Sequence, residues 1–286
     1  MIIVNERKYI EQILNSEEAV VENVGQVVSI LARYYFSEGV AKEELPEKIM
    51  EFMQLRYPKY QVQKKYWKDK IEHIVKHVEK TALFESEGVV ITVPEWDRIH
   101  RIKNKLNKRL AFTVLCVAKL NNQRNPDSNS WVNLKLTELF KIANVGGNND
   151  IRAKKIKALV DDGLIELAKR IDNLNMRVLF IEEGEEVCKI DDFRDLGLTL
   201  QMLDGDTTLR RCKKCGKIFK TNLRKTKTLC DDCGTYTAKP PKTIVCVDCG
   251  DSFVVPGSSK KRVRCEKCQS ERNKLKMRSW RKSHSA

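Results

Sequence analysis

Eight cysteines in four Cys-x-x-Cys pairs constrain this chain more than any other feature of its 286 residues. The pairs are Cys212/Cys215, Cys230/Cys233, Cys246/Cys249 and Cys265/Cys268. Gaps of 14 and 15 residues lie inside two units, and 12 residues separate the units. Two thiolates three positions apart converge on one ion when the backbone turns as a knuckle between them. Gly216, Gly234 and Gly250 follow the second cysteine of a pair, where such a knuckle favours positive φ. Two knuckles on a short hairpin complete a closed tetrahedral site of four cysteines, with Zn–S distances of about 2.3 Å. Disulfides would need an oxidising compartment. A redox dithiol needs one pair in a βαβ setting rather than four in a repeat, and an iron–sulfur cluster fits a duplicated spacing less well. The spacing therefore predicts two structural Zn2+ ions, with all eight cysteines as ligands.

Each unit repeats on its own, as "CKKCGKIF" and then "CVDCGDSF". These segments, from about Arg211 to Gln269, resemble zinc ribbons, a fold family found in nucleic-acid-binding proteins and polymerase subunits. The resemblance names a fold and not a function.

Charge is distributed in blocks. The chain carries +15 overall, but residues 209–286 hold 22 Lys and Arg against 6 Asp and Glu. Eight thiolates and two Zn2+ lower the resulting +16 to +12, which is still strongly basic. Residues 98–180 carry +10, residues 181–208 carry −7, and residues 1–97 carry −4. Two separate basic blocks are the electrostatic footprint of a polyanion. Lys213, Lys214, Lys217, Lys220, Arg224, Lys225 and Lys227 surround the first site, and Lys260, Lys261, Arg262 and Arg264 lie between the second pair of knuckles. Some of them offset the −2 of a zinc centre held by four thiolates. The terminal residues add Lys274, Lys276, Arg278, Arg281 and Lys282 around Trp280, a tail able to lie along phosphates as a helix or as disordered chain.

The middle of the chain reads as ordered elements. "RLAFTVLCVAKLNNQ" is apolar on a wide helical face, and "WVNLKL" alternates as a strand. "TELFKIANV" is a short helix with Thr137 as cap, and "NDIRAKKIKALVDDG" is a second, capped by Asn148 or Asn149 and ended by Gly163. Its expected core face is Ala153, Ile156, Leu159 and Val160. "LIELAKR" and "MRVLFIE" follow as a hairpin. This order, over about Lys108 to Glu182, resembles a winged helix-turn-helix domain. The resemblance implies that the second helix enters the major groove, presenting Asn148, Asn149, Lys154, Lys155 and Lys157, while the wing adds Lys169, Arg170 and Arg177. Asp150, Asp161 and Asp162 oppose that role.

Helical patterns fill Asn5 to Ile102, with Pro46 and Pro94 in first turns and a capping box from Thr92 to Glu95. The aromatic residues of this region read as helix contacts. His73 and His77 share a helix face but lack the glutamate of a zinc-protease motif. The acidic segment 183–208 reads as a solvated joint, with a sharper alternative in which it folds over a basic surface and competes with nucleic acid. Cys188, within it, and Cys116 are expected to be unliganded.

There is no Walker loop, dinucleotide-binding glycine pattern, nucleophile elbow or convincing carboxylate pair, and closed four-cysteine sites leave no open coordination position. The expectation is a non-enzymatic chain, without membrane helix or secretory signal, soluble and cytoplasmic. The fold class expected is a mainly α N-terminal bundle plus an α+β winged helix, followed by two small β zinc-ribbon modules. The boundaries expected are 1–104, 105–182, 183–208, 209–235, 236–270 and 271–286. The functional expectation is a zinc-dependent DNA-binding protein acting on double-stranded DNA. The arrangement is similar to that of replication initiators, helicase-recruiting factors and regulators of phages and other mobile elements. The alternatives are a protein-binding adaptor for a polymerase or replisome, with the N-terminal domain as docking site, or an RNA-binding protein.

Overall fold

The computed structural model describes the chain except residues 1, 17–19, 170–174, 222–226, 235–240, 256–261 and 284–286. The chain divides into two units: Met1–Cys212 with Gly216–Thr228, and Lys213–Cys215 with Leu229–Ala286.

The first unit contains two hydrophobic cores. One is built by α1 (Glu6–Asn15), α2 (Val24–Ser37), α3 (Leu45–Arg56) and α4 (Lys64–Lys76). Helical spacing decides which side chains meet there. Val24, Val27, Val28 and Leu31 of α2, Ile49, Phe52 and Met53 of α3, and Trp67, Ile71 and Val75 of α4 are all buried, each set recurring every three or four residues. Each such side chain contributes roughly 1.5–3 kcal/mol on leaving water. A polar clasp crosses this core. Arg33 donates to both oxygens of the buried Glu6 at 2.8 and 3.2 Å, and the Phe84 amide donates to the same carboxylate at 2.9 Å.

The second core is organised around α6 (Lys105–Arg124). Residues Leu110 to Ala118 of α6 are buried on every face, which requires neighbours on all sides. Those neighbours are β1 (Val89–Thr92), α5 (Val93–His100), β2 (Trp131–Val132), α7 (Leu136–Ile142), α8 (Asn149–Asp161), β4 (Met176–Val178) and α9 (Leu196–Leu203). β2, β4 and β3 (Ile165–Leu167) form an antiparallel sheet in the order β2-β4-β3, with Trp131 opposite Arg177 and Ile165 opposite Val178. The expected capping box is present, with the Thr92 amide donating to Glu95 at 2.9 Å.

Several expectations are corrected by packing. The two cores part between Val78 and Val89 rather than at residue 104, because Val89, Ile91 and Ile99 join the core around α6. The strands are shorter than the alternation suggested. Leu136 already starts α7, which places Thr137 inside the first turn rather than at the cap. Ala153 is exposed, whereas Ile156 and Leu159 are buried and Val160 is half-buried. α8 touches the core along a narrower face than its apolar residues allow.

The largest correction concerns the acidic segment. It is an ordered part of the second core, not a solvated joint. β5 (Glu186–Ile190) pairs antiparallel with β1, Val89 opposite Ile190 and Ile91 opposite Cys188. Ile190, Phe193, Leu196 and Leu200 are buried, while Glu183, Glu185, Glu186 and Asp191 stay exposed. Two glycines permit this packing. A Cβ on Gly88, where φ is +120°, would lie 2.3 Å from the Ile190 carbonyl oxygen, and one on Gly197 would lie 1.8 Å from that of Ala143.

β6 (Leu209–Arg211) and β7 (Ile218–Lys220) form a hairpin in the first unit, with β6 against α9 and Leu209 and Ile218 buried. The second unit contains the hairpin β8 (Lys242–Val245) and β9 (Ser252–Val255), then α10 (Glu266–Ser283). The positions matching Leu209 and Ile218 in the repeat are Thr243 and Ser252, so the second hairpin lacks the apolar pair that seats the first. Among the described residues no helix is long and apolar enough to cross a membrane.

Candidate metal centres and nucleic-acid surface

The eight paired cysteines gather into two groups, Cys212, Cys215, Cys230 and Cys233, then Cys246, Cys249, Cys265 and Cys268. Within each group the four sulfur atoms lie within 4.8 Å of one another. Cys215 Sγ and Cys230 Sγ are 3.7 Å apart, as are Cys249 Sγ and Cys265 Sγ. A tetrahedron with Zn–S bonds of about 2.3 Å has S···S edges of about 3.8 Å, whereas a disulfide needs about 2.05 Å. The residues fit two structural zinc ions, paired sequentially along the chain.

Backbone hydrogen bonds shape all four knuckles alike. The carbonyl of the first cysteine in each pair accepts from the amide four residues on: Gly216 to Cys212 at 2.9 Å, Gly234 to Cys230 at 2.7 Å, Gly250 to Cys246 at 3.0 Å and Gln269 to Cys265 at 3.0 Å. The first knuckle of each unit is closed further. The Cys212 amide donates to the Lys217 carbonyl and the Cys246 amide to that of Asp251, both at 2.9 Å. Gly216 and Gly250 have φ of +73° and +76°, as expected, but Gly234 does not adopt positive φ. The second knuckle of the second unit needs no glycine because it runs straight into α10.

The second centre is braced by Arg264, whose Nε donates to Asp248 at 2.6 Å, and by the Val247 amide on the Val263 carbonyl at 3.1 Å. Amide groups of Cys265, Cys249 and Asp248 point at Cys246 and hold its thiol down to about 6. Hydrogen bonds from backbone donors favour thiolate, the form that binds metal. Hydrogen bonding with Cys265 and Cys249 pushes the Cys268 thiol up.

Both units also contain a contact that the cysteine spacing left unnoticed. Lys227 Nζ lies 5.7 Å from the Phe219 ring centre, and the Arg262 guanidinium lies 5.7 Å from that of Phe253. In each unit the aromatic residue stands four positions after the second cysteine and the cation three before the third. The repeat therefore extends to a cation–π pair.

The chain has no match among protein-family models, curated proteins or solved structures.

The candidate nucleic-acid residues fall in several places. Asn148 caps α8, its Oδ1 accepting from the Ile151 amide at 3.0 Å, and Asn149 begins the helix; both are exposed. Lys154 and Lys157 are exposed and Lys155 is half-buried, and Lys157 sits 4.0 Å from Asp161. Asp150 and Asp161 are exposed beside them, so the outer face of α8 is nearly charge-balanced. Lys169 is exposed. Arg177 is engaged by its own surroundings, donating to the Asn129 carbonyl at 3.0 Å and to Glu166 at 3.3 Å. Lys220, Arg262 and Arg278 are exposed. Arg170, Arg224, Lys225, Lys260 and Lys261 lie outside the described residues, and Arg281 is placed only as backbone of α10.

The acidic segment meets basic residues within the first unit. Asp192 accepts from Arg194 at 2.7 Å and Arg211 at 3.3 Å. Burial pushes its carboxyl up, but the hydrogen bonds of Arg194 and the charge of Arg211 outweigh this and leave it below the usual range. Cys116 is buried in α6 and Cys188 is half-buried on β5, neither within a metal-binding group among the described residues.

Proposed function

We propose that this chain is a non-enzymatic, zinc-dependent DNA-binding protein, in which α6 to β4 act as a winged helix-turn-helix and the two ribbons as a phosphate clamp. The observation that carries the reading is the concentration of positive charge on the metal-stapled segment. After metal binding, residues 209–286 keep a balance of +12, and Lys213, Lys214, Lys217, Lys220, Arg262 and Lys267 are exposed there. A module this small cannot hold a core, so zinc replaces one and leaves its surface free to carry cations. Several weak contacts on one chain multiply through effective concentration. The order of elements around α8, with Asn148, Asn149, Lys154 and Lys157 turned outward, supports groove contact by that helix.

The test is binding of the zinc-loaded protein to random duplex DNA, single-stranded DNA and RNA over a salt series, beside a selection for preferred duplex sites. The reading expects tighter binding to duplex DNA and a logarithmic salt slope of several units. Equal or tighter binding to RNA would replace it with an RNA-binding role. Absence of salt-sensitive binding to all three would leave the adaptor role, which the exposed Leu55, Val62 and Tyr66 of the N-terminal bundle favour.

A further inference from the structure

α10 is 18 residues long, about 27 Å at 1.5 Å per residue. It leaves the second metal centre directly. Cys265 stands immediately before it, Cys268 lies in its first turn, and the Gln269 amide donates to the Cys265 carbonyl at 3.0 Å. Every residue from Gln269 to Trp280 is exposed, and the described elements of the second unit do not bury it. An unsupported helix of this length is marginal in water. Of its two acids, Glu266 and Glu271, the second stands four after Lys267 and three before Lys274, spacings at which ion pairs can stabilise a helix, but no ion pair forms at either acid among the described residues. The metal fixes one end, and the rest is shaped for a partner.

The distribution of side chains around α10 identifies that partner. At 3.6 residues per turn, positions 269, 273, 277 and 280 fall on one narrow strip. Beyond Glu266, which shares its azimuth in the first turn, the strip reads Gln269, Asn273, Met277, Trp280 and carries no charge. Gln269 Nε2 donates to Asn273 Oδ1 at 3.0 Å, which joins the two amides along it. Arg272 and Lys276 border the strip on one flank and Lys274 on the other, while Arg278 turns towards the back of the helix. A helix at a membrane surface needs a broad apolar face, and here Leu275 stands apart from Met277 and Trp280. A helix resting on phosphates alone needs its cations at the centre of the contact, where this one has amides. A neutral hydrogen-bonding strip between two basic flanks suits the major groove, about 12 Å wide, with base edges at its floor and a phosphate row on each wall.

We propose that α10 is a base-reading helix for duplex DNA, with Asn273 and Gln269 at adenine edges, Met277 against a thymine methyl, and the second zinc ion fixing its direction of entry. The inference rests on the DNA-binding reading, but assigns sequence preference to a helix that the near charge-balance of α8 does not explain.

The test selects duplex sites from a random pool with full-length zinc-loaded protein and with variants, those that keep all eight cysteines being checked for two zinc ions and unchanged helicity by circular dichroism. Asn273→Ala, alone and with Gln269→Ala, is expected to lose preference at one or two base pairs by about fivefold to a hundredfold. Its affinity for random duplex should stay within about twofold. Lys274→Ala with Lys276→Ala should weaken all sequences alike and lower the salt slope by about two. In Cys265→Ser with Cys268→Ser, which should retain one zinc ion, α10 helicity and the same base preference should disappear together. A wild-type motif recovered unchanged by the Asn273→Ala, Gln269→Ala protein would overturn the proposal. If Lys154→Ala with Lys157→Ala alters the motif in that case, the DNA-binding reading survives without it. Salt-sensitive binding with no motif in the wild type overturns the reading helix alone, and no binding to any nucleic acid overturns both.

Discussion

Lys119 Nζ lies 2.7 Å from both carboxylate oxygens of Glu95, a side chain with no exposed surface. The same carboxylate accepts the Thr92 amide at 2.9 Å and the Glu182 amide at 3.3 Å. Glu95 thus ties together α5, α6, the end of β1 and the segment leading to β5. A buried charge is tolerated only when it is paired and its lone pairs are filled. Lys119→Met leaves it uncompensated and should destabilise the first unit by about 3–5 kcal/mol. Replacing both residues by leucine should not restore stability, because the two amides then lose their acceptor. Urea unfolding of the single and double variants measures both; a double variant as stable as the parent would show that the amides matter little.

Metal content should follow the two cysteine groups independently. The purified protein is expected to hold two zinc ions, Cys230→Ser one, and Cys246→Ser one. A chelator should release both ions, with loss of ordered ribbon structure, because structural zinc energy is folding energy. Metal analysis with amide hydrogen exchange distinguishes this from a shared site, in which one substitution would release both ions.

Gly197→Ala and Gly39→Ala differ by one methyl at a glycine but should differ in cost. A Cβ at 197 would meet the Ala143 carbonyl oxygen at 1.8 Å, so α9 must shift or α7 must move. The expected loss is about 3 kcal/mol or more, as for severe overpacking. At Gly39 nothing lies within 4 Å and only the φ of +84° opposes a side chain, a loss of about 1–2 kcal/mol. Thermal unfolding of the two variants side by side checks the order.

The carboxyl of Asp192 is held below its ordinary range in the folded chain. A group whose folded pKa is depressed contributes stability above its unfolded pKa, about 3.9 for aspartate, and loses it as pH falls towards the folded value. Asp192→Asn should therefore lower stability at neutral pH and flatten the loss below about pH 4. Parallel denaturation curves for variant and parent through that range would contradict the assignment. Deleting the whole acidic segment is a poor test of competition with nucleic acid, because it removes β5 and the buried Phe193.

Arg177→Ala should scarcely change the salt dependence of nucleic-acid binding, since the guanidinium is engaged by Asn129 and Glu166. It should instead loosen the hairpin of β3 and β4 by about 0.5–1 kcal/mol. A fall of about one in the logarithmic salt slope would return Arg177 to the phosphate-contacting surface.

The metal centres were legible from residue order because their chemistry is local: two thiols three apart, a turn, and the same again within about thirty residues. The cap at Asn148 and the capping box at Thr92 were legible for the same reason, each involving neighbours within one turn. What the spacing did not reveal was the fate of the acidic segment. Its charge of −6 suggested a solvated joint, yet Ile190, Phe193, Leu196 and Leu200 are buried in the core. That outcome depends on β1, about a hundred residues earlier, offering an unpaired edge, and on Gly88 and Gly197 letting two backbones approach. The partners of Glu95 and the narrow core face of α8 are likewise set by distant parts of the chain. Ligand type and turn geometry are written in adjacent residues, whereas burial is a property of whichever surfaces meet, and only the tertiary structure decides that.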